Sequence, residues 1–142
     1  MSLKSTVRTT IAVLLCLLLI SGCSLLDRGV QSSPQRLAEA YLEAFKNSDY
    51  DTMLSLCLPG DETPEELEFT RKFVQMIELT AYSVGPVERL SDEEAQVEVT
   101  LTLVLMDYER TETDRIRVVK ADGKWYITDY LQPLTGAFGS HE

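Results

Sequence analysis

The apolar positions Leu37, Ala38, Tyr41, Leu42 and Phe45 recur at helical spacing and make a single stripe. Ser33 followed by Pro34 supplies an N-cap and a first helical residue, so a helix is predicted to start there. Asn47-Ser48-Asp49 interrupts it, and Asp49 caps a short second helix through Cys57 that buries Tyr50, Met53, Leu54 and Cys57. Pro59-Gly60 ends that helix. Thr63-Pro64-Glu65-Glu66 is a capping box and opens a third helix, with a stripe of Leu67, Thr70, Phe73, Val74 and Ile77.

From about Leu79 the period changes from 3.6 to 2. Thr80 to Val84 reads as a strand that ends near Gly85-Pro86 or resumes through Val87, and Ser91 to Glu94 reads as a turn. In the longest strand, Ala95, Val97, Val99, Leu101, Leu103 and Leu105 face one way, and Gln96, Glu98, Thr100 and Thr102 the other. One covered and one wet face predict an antiparallel sheet. A polar turn is expected around Glu109-Arg110-Thr111, followed by strands Ile116 to Lys120 and Trp125 to Tyr130. Asp122-Gly123 between them is a hairpin signal. Its register sets Lys120 opposite Trp125, Val118 opposite Ile127 and Ile116 opposite Asp129. The covered face then holds Ile116, Val118, Trp125, Ile127 and one acid, Asp129. Arg115, Arg117, Tyr126, Thr128 and Tyr130 fall on the other.

The N-terminus follows neither period. Lys4 and Arg8 precede an unbroken apolar run from Ile11 to Ile20, about 15 Å of helix against a hydrocarbon core of ~30 Å. A basic start before a run too short to span reads as a secretory signal over residues 1–22. Ile20-Ser21-Gly22-Cys23 resembles the lipobox of bacterial lipoproteins. That resemblance implies that Cys23 is acylated on sulfur and becomes the mature N-terminus. The protein is then held to the outer face of the cell membrane, or to an outer membrane, by lipid. Residues 23–33 read as lipidated terminus and tether, 34–133 as one α+β domain, and 134–142 as a flexible tail.

Charge sharpens this division. The chain has 142 residues, 13 basic and 23 acidic. Lys4 and Arg8 are the only charges in residues 1–22, which leaves 11 basic against 23 acidic side chains and a formal charge of −12. Such a domain is unsuited to nucleic acid, whose phosphates demand clustered Lys and Arg, and to electrostatic adhesion on anionic lipid. Of the three cysteines, Cys16 leaves with the signal and Cys23 is lipidated. Cys57 then has no disulfide partner and is read as a small buried hydrophobe.

Three helices before an antiparallel four-strand meander predict an α+β fold with the helices on one face of a curved sheet. Several phrases resemble the NTF2-like superfamily, the cystatin-like cone shared by ketosteroid isomerases and SnoaL-type proteins. They are Ser33-Pro34 leading into Ala38-x-x-Tyr41-Leu42-Glu43-Ala44-Phe45, then Asn47-Ser48-Asp49-Tyr50-Asp51, then Asp122-Gly123-Lys124-Trp125-Tyr126-Ile127. The likeness is nearest to small domains of unknown function on bacterial lipoproteins. It implies a possible pocket between helices and sheet, with Tyr41, Tyr82 and Trp125 as candidate lining residues.

Catalytic motifs are sparse. The only histidine, His141, lies in the expected tail, which argues against His-dependent triads and His-based zinc sites. The acidic runs Asp61-Glu62, Glu65-Glu66 and Asp92-Glu93-Glu94 read as solvated helix starts and turns. No metal and no cofactor is expected. Members of the resembling superfamily use an acid or histidine inside the cone. Asp129 in an apolar pocket, its pKa raised by burial, is the corresponding candidate for isomerase- or dehydratase-like chemistry. The leading expectation is a non-catalytic lipoprotein domain that binds a small hydrophobic ligand or a protein. The alternatives are an Asp129 enzyme, or a subunit that dimerises through the outer sheet face.

Overall fold

A computed structural model of the chain describes residues 29–128. Two units are distinguished, 1–30 and 31–142. In the second, the Ser33 hydroxyl accepts from the Arg36 N–H at 3.2 Å and Pro34 starts helix α1, Pro34–Lys46. Its stripe, Leu37, Ala38, Tyr41, Leu42 and Phe45, is buried. The helix closes in a Schellman motif: Ser48 takes φ 57°, its N–H donates to Phe45 O at 3.0 Å, and Asp49 N–H donates to Ala44 O at 2.8 Å.

Asp49 caps α2, Tyr50–Ser55, and Thr63 with Glu66 forms the complete capping box of α3, Pro64–Gln75. Helix α2 is shorter than the apolar period predicts. The chain leaves it at Leu56 and pairs with the last strand: Ile127 N–H donates to Leu56 O at 2.9 Å and Leu58 N–H to Ile127 O at 2.8 Å. Leu56 is therefore buried and Leu54 only half-buried.

Strands β1 (Ile77–Arg89), β2 (Glu94–Leu105), β3 (Tyr108–Ala121) and β4 (Lys124–Ile127) form one antiparallel sheet in the order β1-β2-β3-β4. With three helices against it, this is the α+β architecture the pattern predicts. The expected register holds: Lys120 opposes Trp125 and Val118 opposes Ile127. Asp122 and Gly123, at φ 51° and 78°, make the turn. Alternation in β2 also holds, with Ala95, Val97, Val99, Leu101 and Leu103 buried.

β1 takes the second of the two courses the sequence allows, and the β2–β3 turn differs from the sequence reading. β1 runs through Gly85-Pro86, absorbing them where its register against β2 shifts between Val84 and Val87. An edge strand tolerates proline, and such a bulge bends the sheet. Glu109-Arg110-Thr111 lies within β3, because the β2–β3 turn is Met106-Asp107, with φ 49° and 65°. The first half of β3 is paired to β2 along its length but mostly polar, so it shows no apolar alternation.

The core lies between α1 and the helix-bearing sheet face. Tyr41, Leu101, Ile116 and Trp125 are each 2% exposed or less. Arg89 and Lys120 reach over the Trp125 ring at 4.9 and 6.0 Å from its centroid. Gln31 is bonded to Trp125 in both directions: Trp125 N–H donates to Gln31 O at 3.0 Å, and Gln31 Nε2 to Trp125 O at 3.1 Å. Gln31, within the stretch expected to be tether, thus bonds to β4.

Candidate functional site

The detour of residues 56–58 to the β4 edge leaves a space outside the core. A pocket of about 470 Å3 lies there, walled by Leu54 and Ser55 of α2, Leu67 of α3, Tyr126 of β4, and Cys57, Leu58, Pro59, Gly60 and Glu62 of the connection. Its volume suits a small ligand. The lining is mainly apolar, with the Ser55 hydroxyl, the Tyr126 phenol and the Glu62 carboxylate as polar points.

The walls have fixed spacing. The Tyr50 hydroxyl donates to Leu67 O at 3.1 Å, tying α2 to α3. The Arg71 guanidinium stacks over the Tyr50 ring at 4.8 Å and meets Asp51 Oδ1 at 2.7 Å. The Cys57 thiol is 5% exposed, and Sγ donates to Met53 O at 3.3 Å. It is the buried hydrophobe expected, held by packing against the pocket floor.

The residues named from the sequence are not brought together here. Tyr41 and Trp125 belong to the core. Tyr82 stands on the helix-bearing face of β1, half-buried, and its hydroxyl donates to Glu43 Oε2 at 2.7 Å. That bond holds the Glu43 carboxyl below the usual range, helped by Asn47 Nδ2 at 3.3 Å, and pushes Tyr82 up to about 12. Asp129 and Cys23 lie outside the described residues. Sequence reasoning missed the outer pocket because nothing in the α2 pattern announces a β4-edge bridge. The one local signal is Pro59-Gly60, which stops α2 from continuing.

Thr70, also buried, is satisfied within its helix, its hydroxyl donating to Glu66 O at 2.9 Å. No group of three or more His, Cys, Asp or Glu among the described residues is placed to hold a metal. No helix among them is long and apolar enough to cross a membrane.

The outer sheet face is polar and internally paired. Thr100 meets Thr113 at 3.1 Å, Thr102 meets Thr111 at 3.0 Å, and Arg117 meets Glu94 at 3.0 Å. Arg115 lies 3.7 Å from Glu88. Tyr126 lines the pocket at the β4 edge, and Tyr130 falls outside the described residues.

Solved structures of similar fold confirm the class. A SEC-C motif containing protein from Psychrobacter arcticus has TM-score 0.58 at 18% identity, covering 74% of this chain and 64% of that one. A SEC-C motif containing protein from Rhodopseudomonas palustris has TM-score 0.55 at 18% identity, covering 69% and 77%. An NTF-2 like protein of unknown function from Shewanella oneidensis has TM-score 0.52 at 20% identity, covering 66% and 89%. At these identities the likeness establishes the fold alone. The sequence matches no protein-family model and no curated protein.

Proposed function

We propose that this chain is an exported lipoprotein, anchored through lipid on Cys23, whose NTF2-like domain binds without catalysing. Its occupant is a small apolar ligand seated in the outer pocket, or a protein. The observation that carries the non-catalytic reading is the filled cone. Tyr41, Leu101, Ile116 and Trp125 occupy the space between helices and sheet, and every described carboxylate is at least partly exposed. An enzyme of the resembling type needs that space for its substrate and an acid inside it. The outer pocket lies outside the core, and its apolar walls with few polar points suit binding.

Glu62 at the rim favours a neutral or cationic occupant over an anionic one. The test uses the purified full chain, native mass spectrometry for a co-purifying molecule, and the neutral dye Nile red as a probe. Ser55→Trp fills the pocket from its α2 wall and is expected to lower dye affinity at least about tenfold and to remove any co-purifying mass. Tyr82→Phe, away from the pocket, is expected to leave both unchanged. Equal dye binding by wild type and Ser55→Trp removes the pocket from the reading. Turnover of a co-purified molecule that Asp129→Asn abolishes replaces binding with catalysis.

A further inference from the structure

Helix α3 carries a second apolar stripe that the core uses only in part, at Phe73. Val74 and Thr70 face inward, whereas Phe69, Phe73 and Met76, spaced four and three residues apart, lie along one flank. Phe69 is 73% exposed and Met76 55% exposed, and Phe73 is half-buried against the core. The stripe runs on into the end of the sheet. Ile77, directly after Met76, pairs with Leu105, and Leu105 pairs with Tyr108. Met106 and Tyr108 at that end are 84% and 68% exposed. Four large side chains so open to water, continuous in position, are more than the scattered apolar residues of an ordinary surface.

The surroundings decide what covers it. A shallow hollow of about 550 Å3 adjoins Phe69 and is lined by Glu62, Glu65 and Glu66. Asp107 sits between Met106 and Tyr108. A second copy of this chain would bring the same carboxylates against these, and a phospholipid surface of negative charge would be repelled by them. A segment with an apolar face flanked by Lys or Arg matches both features.

We propose that the Phe69–Phe73–Met76 flank of α3, with Met106 and Tyr108, docks a basic amphipathic segment of a partner protein. The proposal rests on the binding reading above and names the chemistry of its protein branch. Apolar side chains of the partner cover the stripe, and its cationic side chains face the glutamate hollow. The mode is helix-in-groove recognition, with charge setting orientation and on-rate.

The test measures fluorescence anisotropy of a labelled peptide of roughly 18 residues, with leucines at helical spacing and lysines on the opposite face, against the purified full chain. Its counterpart carries glutamate for lysine. The lysine peptide is expected to bind, and to weaken at least about tenfold between about 0.05 M and about 0.5 M salt. The glutamate peptide is expected not to bind. Phe69→Ser with Met106→Ser, both at exposed positions, should weaken the lysine peptide at least about tenfold with an unchanged melting temperature. Undiminished binding by that double variant overturns the site, since the contact is then general charge attraction. A concentration-dependent dimer that the same variant abolishes overturns the choice of partner in favour of a second copy. Either failure leaves the pocket untouched, because Ser55→Trp and Nile red report on it separately.

Discussion

Glu43 and Tyr82 join α1 to β1 through a single hydrogen bond of 2.7 Å, and both partners record it in their acidity. The carboxylate accepts from the phenol, so each group keeps its bonding form over a wider pH range. Tyr82 is pushed up to about 12 by that bond first and by burial second, from an ordinary value of 10. A group whose folded pKa is raised contributes stability that is whole below its unfolded value and is lost as pH climbs through the folded one. The loss from Tyr82 therefore falls between 10 and about 12. Glu43 is lowered, so its share is present above its ordinary 4.5 and disappears as pH falls below that. The difference in phenolate absorbance between wild type and Tyr82→Phe should titrate near 12. Denaturant unfolding should also show wild type losing more stability than Tyr82→Phe above pH 10. A difference spectrum that titrates at the ordinary 10 would remove the Glu43 bond from the account.

The elements were legible where their signals are local. Ser33-Pro34, the Thr63–Glu66 box, the alternation of β2 and Asp122-Gly123 each fixed an element or a turn from adjacent residues. What escaped is non-local or chemically silent. Residues 56–58 are ordered by Ile127, some seventy positions away, so no window around α2 contains the cause. The pocket is a by-product of that bridge and was equally hidden. Tyr41 and Trp125 were legible as large residues on covered faces, but a period cannot tell a side chain that fills a core from one that lines a cavity. The β2–β3 turn was missed because Met106-Asp107 takes two left-handed conformations without glycine or asparagine. A residue with a Cβ is disfavoured there by roughly 1–2 kcal/mol, Asn and Asp less so because their side chains bond locally. The pair Met106→Asn with Asp107→Gly supplies the residues that a two-residue hairpin favours. It should raise stability by about 1 kcal/mol, read as a higher urea midpoint at unchanged slope. An unchanged midpoint would mean that the paired strands alone hold the turn, at no local cost.

At the scale of the whole molecule, the charge decides how the proposed anchor must work. With 11 basic and 23 acidic side chains after residue 22, the domain gains nothing from an anionic headgroup layer. Retention at a membrane then falls to acyl chains, each buried methylene contributing ~0.8 kcal/mol and two or more chains holding where one does not. Attachment of this kind is insensitive to ionic strength, because no screened charge pair contributes to it. The wild-type chain should stay in the membrane fraction through washes of about 1 M salt and leave only with detergent, whereas Cys23→Ser should not be acylated and should escape the lipid-anchored pool. Mass spectrometry of the N-terminal peptide distinguishes the two routes by which the variant can behave. An unprocessed signal in Cys23→Ser with a lipidated, shortened wild type supports cleavage before Cys23. A wild type that keeps residues 1–22, or that salt removes from the membrane, would refute the lipid anchor and leave the folded domain and its pocket standing without it.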